Sequence, residues 1–201
     1  MDEVLAMFLS GQHEFTARVH AISEDQWAAP TPDTKWSVAD LVNHLIDEHR
    51  WAPPLLRGLD LDAAGKVVQG SRSLPVDGGV GANLAELWDE AAAGSADAAT
   101  ADGAIDRSVE LSRGATPART YLGEMVFDLA VHSWDLAKAI GYDELLPREL
   151  VEFVRANMSG SGDLSSSGLF AKPVEVPEGA SPQEQLLAAT GRDPSWSPPG
   201  R

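Results

Sequence analysis

The chain contains no cysteine. That excludes disulfides, cysteine-bound zinc and a protein thiol nucleophile, so any sulfur chemistry needs a thiol from outside. Positive charge is scarce as well. Fifteen Lys and Arg stand against 31 Asp and Glu, giving a formal net charge of -16 over 201 residues. Such a polyanion repels phosphate backbones and anionic lipid surfaces, so neither nucleic acid nor a membrane is an expected partner. There is no apolar run long enough to cross a bilayer. The N-terminus carries Asp2 and Glu3 where a signal peptide would be basic, and the expected location is the cytoplasm. Also missing are a glycine-rich phosphate loop, an internal repeat and clear strands. Only 106–111 reads as a short strand or extended connector.

What is present is helical periodicity. Val4, Leu5, Phe8, Phe15, Val19 and Ile22 recur at helical spacing and predict a first helix over 2–22. A proline-containing loop at 29–34 precedes a second helix that starts near Ser37. There Ser37 and Asp40 have the spacing of a capping box, and Pro53-Pro54 ends or kinks the helix. The weakly patterned, glycine-rich stretch 58–81 reads as loop with at most a helical turn. A third helix is expected over 82–100. A fourth, the most apolar, covers 117–140, opened by Thr116-Pro117 and closed by Gly141. A fifth lies near 147–158, and a short one around 183–190. The expected organisation is an all-α antiparallel bundle over 1–158. A flexible Ser/Gly-rich loop and a short helical appendage packed on the bundle make up 159–201.

The chemistry has to come from histidine and carboxylate. In the fourth helix Asp128 and His132 are four residues apart and so project from one face. His132 falls within the stripe of Met125, Leu129 and Leu136, with Asp128 just beside it. A histidine and a carboxylate buried together need compensation, which a metal supplies and a simple hydrogen-bonded pair supplies too. A third ligand has to come from another helix. His44 stands at the edge of the Leu41/Leu45 stripe, while His49 lies nearer its centre by helical projection. Glu124 and Asp135 are alternatives to Asp128, one turn away on either side. The tryptophans read as core.

Two motifs and a tail bear a resemblance that narrows these choices. Trp36-Ser37-Val38-Ala39-Asp40-Leu41-Val42-Asn43-His44-Leu45 resembles the second-helix signature of the DinB-like superfamily. In particular it is similar to the actinobacterial branch carrying the mycothiol-dependent maleylpyruvate isomerase N-terminal domain. Asp128-Leu129-Ala130-Val131-His132-Ser133-Trp134-Asp135-Leu136-Ala137 resembles that branch's second signature. The ending from Ser181-Pro182-Gln183 to Gly191-Arg192-Asp193-Pro194 resembles the tail of its short members.

The resemblance implies a four-helix bundle holding one divalent metal, zinc above all, on His44, Asp128 and His132. It makes His44 the ligand and leaves His49 a structural role. Mycothiol is the implied thiol co-substrate. The family's characterised isomerase carries glutamate where this chain has Asp128, one methylene shorter, and has a fuller second domain.

Two neutral imidazoles and one carboxylate leave a divalent ion with net charge of plus one, which an incoming thiolate neutralises. The expected activity is therefore thiol transfer to, or thiol-assisted isomerisation of, a small electrophile. The expected partners are a small-molecule thiol and that electrophilic substrate, and a homodimer is allowed. Two other classes fit the same residues. One is a non-enzymatic metal- or metabolite-binding bundle. The other is the facial triad of a non-haem iron oxygenase.

Overall fold

The computed structural model describes residues 2–33, 35–71, 83–158 and 171–199. Four long helices form the bundle: α1 (Glu3–Val19), α2 (Val38–Leu56), α4 (Leu84–Thr100) and α5 (Ala118–Ile140). A shorter helix, α3 (Leu61–Ser71), lies between α2 and α4. A hairpin of β1 (Ser108–Leu111) and β2 (Gly114–Pro117) leads into α5, and α6 (Arg148–Met158) and α7 (Pro182–Ala189) follow. Each bundle helix packs on two others, so the ring closes as α1, α4, α2, α5.

Cross-contacts give the directions. Asp2 meets Arg119 and Gln26 meets the carbonyl of Ile140, so α1 and α5 run the same way. Thr16 meets Trp88 while Gln12 meets Ser95, so α4 opposes α1. His44 meets Asp128 while Trp36 lies over His132, so α2 opposes α5. The bundle thus consists of two parallel pairs set antiparallel to each other. Its core is built from Phe8, Phe15, Leu41, Leu45, Trp88, Leu122, Leu129 and Leu136, all essentially inaccessible to solvent.

Helix α2 begins as its capping box predicts: the Ser37 hydroxyl accepts from the Asp40 amide, and the Asp40 carboxylate accepts from the Ser37 amide. It does not stop at the prolines. The helix runs through Pro53-Pro54 to Leu56, because the missing amides fall in its last turn and the Pro53 carbonyl still accepts from Arg57. The glycine-rich stretch after it also departs from expectation. Residues 61–71 are a full helix whose Ala64 and Val68 are buried, with Gly65 against the Trp51 ring. Gly65 and Gly70 diluted the apolar pattern there; the remainder of that stretch, 72–81, lies outside the described residues.

The extended reading of 106–111 is now a defined hairpin, with Val109 opposite Thr116. Thr116 therefore belongs to the strand, and Pro117 takes the N-cap position of α5 instead of the first helical one. Gly141 closes α5 in the left-handed conformation, φ 74°, as its position predicts. The loop expected at 159–168 lies outside the described residues.

Candidate metal centre

α2 and α5 each present one face to the other, and the polar residues on those faces meet. His44 Nε2 lies 3.1 Å from Asp128 Oδ2, and His132 Nε2 lies 3.3 Å from Asp128 Oδ1. One ligand atom from each of the three residues falls within 4.8 Å of the others. His44 and Asp128 are each 29% exposed at the side chain, whereas His132 is 7% exposed. The cluster thus has a buried floor and an open side.

The donor set fits a divalent metal. Around a tetrahedral ion with bonds near 2.0–2.2 Å, neighbouring donors stand roughly 3.3–3.5 Å apart. The two gaps, one to each oxygen of the Asp128 carboxylate, are of that order. Both imidazoles present Nε2, and His132 turns its other nitrogen away to Asp135, with Nδ1 3.0 Å from Oδ2. A ligating histidine held from behind by a carboxylate is the usual arrangement of such sites.

The electrostatics are those of a site holding a proton in place of a cation. Burial opposes the His132 imidazolium, yet the adjacent Asp128 and Asp135 carboxylates outweigh it and raise His132 to about 9. Burial works against the Asp128 carboxylate as well. His132 and then His44 more than offset that and hold it well below the usual carboxylate range.

The other sequence candidates are placed elsewhere. Glu124 is on the surface, paired with Arg113 at 2.7 Å. Asp135 does not replace Asp128; it is completely buried on the far side of His132. His49 points into the core. Its Nδ1 is 2.7 Å from the Ser95 hydroxyl and 3.2 Å from Gln12 Nε2, and its ring stacks on Phe8 and meets Trp88 edge-on. Burial lowers His49 to about 3, so this ring is neutral. His13 and His20 are exposed, His20 beside Asp89.

Three residues of the site, Trp36, Glu48 and Arg192, were not found by sequence reasoning, and a fourth, Asp135, was given another role. Trp36, read as core, lies over both imidazoles, with ring centroids 4.7 Å from His44 and 5.5 Å from His132. Glu48 follows His44 by one turn. Its side chain reaches solvent, yet the surrounding protein, then the Asp128 charge, hold its carboxyl above the ordinary glutamate range. The i, i+4 spacing from His44 was the available signal for it. Asp135 was weighed only as an alternative ligand, and Arg192, its partner from the chain's far end, carried no local signal at all.

The architecture is that of a bundle of four long helices with a polar cluster between two of them. Residues 8–137 match the family model described as the mycothiol maleylpyruvate isomerase N-terminal domain, and the chain belongs to that family. Uncharacterised proteins from two strains of Mycobacterium tuberculosis are 29% identical to it over 199 residues, spanning 96% of this chain and 98% of theirs. The crystal structure of the mycothiol-dependent maleylpyruvate isomerase superposes with a TM-score of 0.58 at 16% identity. That match covers 78% of this chain and 68% of the other. A crystal structure of a mutant of that enzyme gives 0.58 at 15% identity, covering 82% and 77%. At these identities the likeness is one of fold. Among the described residues no helix is long and apolar enough to cross a membrane.

Proposed function

We propose that this protein is a zinc-dependent enzyme in which His44, Asp128 and His132 hold the ion. On this reading it adds the thiol of mycothiol to a small electrophile, or uses that thiol to assist the electrophile's isomerisation. The observation that carries the reading is the convergence of three donors, from two helices, within 4.8 Å of one another, a ligand set that would leave a catalytic ion one open position. Family membership supports mycothiol as the thiol. The absence of cysteine supports an external one.

A bound divalent ion lowers the pKa of a thiol and keeps it deprotonated at neutral pH. The chain's own residues do the rest. Asp128 supplies the single negative charge of the ligand set, so the loaded site stays cationic and favours an anionic sulfur. Asp135 keeps the His132 ring oriented through Nδ1. Trp36 covers one side of both imidazoles and excludes water there. Glu48, one turn along α2, is the acid of the site without a hydrogen-bonded partner among the described residues, since Asp128 and Asp135 are engaged by His44, His132 and Arg192. With its proton affinity raised, its carboxylate accepts the thiol proton at neutral pH.

The three side chains also satisfy one another by sharing protons without a metal, which is what a metabolite-binding bundle without catalysis requires. Titration of mycothiol into the cobalt-substituted protein separates the readings. A sulfur-to-cobalt charge-transfer band is expected, and with no cysteine in the chain it reports the added thiol. Stoichiometric cobalt with no such band refutes the thiol step. Absence of any metal uptake refutes the site.

A further inference from the structure

The region matching the family model stops at residue 137, yet the contacts behind His132 reach to residue 192. The Arg192 side chain is only 8% exposed. Its Nη2 donates to Asp135 Oδ2 at 2.9 Å, its Nε to Asp135 Oδ1 at 3.3 Å, and its Nη1 to the Thr190 carbonyl at 3.2 Å. Asp33 Oδ2 lies further off, at 3.6 Å. The guanidinium is thus occupied by protein groups and is not offered to a substrate. Asp135 in turn receives the His132 Nδ1 hydrogen on the same Oδ2 that Arg192 holds.

The local sequence dictates this placement. α7 starts on a capping box between Ser181 and Glu184 and buries Leu186, Leu187 and Ala188. It ends in a Schellman motif: the Arg192 amide bonds the Leu187 carbonyl and the Gly191 amide bonds that of Ala188, with Gly191 at φ 79°. A Cβ on Gly191 would come within 2.6 Å of the Ala171 Cβ and 3.0 Å of its backbone, so only glycine fits the turn. The motif fixes the residue after Gly191, and that residue is the arginine that enters the bundle.

We infer that Arg192 and Asp135 are positioning residues of the metal centre, and that the C-terminal segment therefore completes the site. The inference rests on the metal reading above. A fully buried carboxylate needs a strong partner, and the planar fork of arginine meets both of its oxygens at once. So held, Asp135 keeps the hydrogen on His132 Nδ1, so that Nε2, which faces Asp128 and His44, is the nitrogen that becomes the lone-pair donor when the ring gives up its second proton to a metal. If Asp135 turned, His132 could adopt the other tautomer and lose its capacity to ligate.

Arg192→Met would strand a buried carboxylate and could unfold the chain, so the informative variants are Arg192→Lys and Asp135→Asn. Zinc affinity is measured by competition with a chromophoric chelator, alongside the melting temperature of the metal-free protein. Loss of such an orienting contact costs roughly 10–100-fold in metal affinity. Both folded variants are expected to fall in that range, with an altered cobalt d–d spectrum. A purely structural role would lower the melting temperature and leave affinity unchanged, so variants that bind zinc within about twofold of the parent overturn the inference, that margin being far below the expected loss. If the parent itself takes up no zinc, the ligand assignment has failed instead, and the positioning role falls with it.

Discussion

Metal uptake should release a proton, and the size of the effect follows from His132. In the metal-free protein its imidazole is raised to about 9 by the carboxylates on either side, against the pull of burial. At pH 7, two units lower, only about one molecule in a hundred has the ring neutral and able to ligate. A metal must displace that proton, at a cost of about 2.7 kcal/mol relative to a site already neutral. Apparent affinity should therefore rise about tenfold per pH unit between roughly pH 6 and 8, and each ion bound should release about one proton from His132. Calorimetric titration of zinc in buffers of different ionisation enthalpy measures that number directly. Stability of the metal-free protein runs the other way. Because the folded-state value is raised, the contribution of the His132–carboxylate contacts is complete below the unfolded value of about 6.5 and is lost as pH climbs through about 9. Zinc binding that is independent of buffer, with affinity flat between pH 6 and 8, would refute this account of the site.

Asp128→Asn keeps the shape and removes the charge, so zinc affinity should drop by at least about tenfold, read by chelator competition, and the melting temperature of the metal-free chain should fall as well, because the pairing of Asp128 with His44 and His132 is lost. His49→Gln should leave zinc content unchanged and lower thermal stability, since His49 serves the contacts to Ser95, Gln12, Phe8 and Trp88. Its depressed value of about 3 adds an acid signature: stability linked to neutral His49 is present above about 6.5 and is lost as pH falls from there towards 3, and acid unfolding curves of the Gln variant should lose that component. Glu48→Gln should bind zinc normally but slow thiol-dependent turnover by about 10²-fold or more, the usual contribution of a positioned proton acceptor, and flatten the acid limb of its pH profile.

Most of the fold was legible because the long helices have period-3.6 stripes and standard ends; Ser37 and Gly141 both mark real boundaries. α3 was obscured because its two glycines weaken the stripe, though Ala64 and Val68 still find a core to enter. At the site, spacing paired Asp128 with His132 on one face, and the family motif singled out His44. Helical projection alone favoured His49. That residue does point inward, but into the core against Phe8 and Trp88, not across to α5. Projection measures burial and does not say which neighbour is met. The Asp135–Arg192 contact spans 57 residues and depends on how α7 docks, so no periodicity could announce it.

On the proposed zinc and mycothiol reading, the charges of the site would let so acidic a chain receive a thiol. Arg192 and Asp135 cancel as an ion pair and contribute orientation without net charge. Asp128 offsets one unit of a divalent ion, and the two imidazoles offset none, leaving plus one. Glu48, when ionised, brings the sum to zero, which is the state that greets a neutral thiol. With a zinc ion held by His44, Asp128 and His132, transfer of the thiol proton to Glu48 would leave a thiolate and a neutral carboxyl. The sum stays at zero while the negative charge moves one helical turn, from Glu48 towards the ligand set. Because the net charge of the site would not change, distant surface acids, whose fields solvent screens, would have little effect on such a transfer. A second lone carboxylate in place of the Arg192–Asp135 pair would break this balance and favour the protonated thiol. The ion pair behind His132 therefore matters twice, once for the ring's tautomer and once for the charge that sulfur meets.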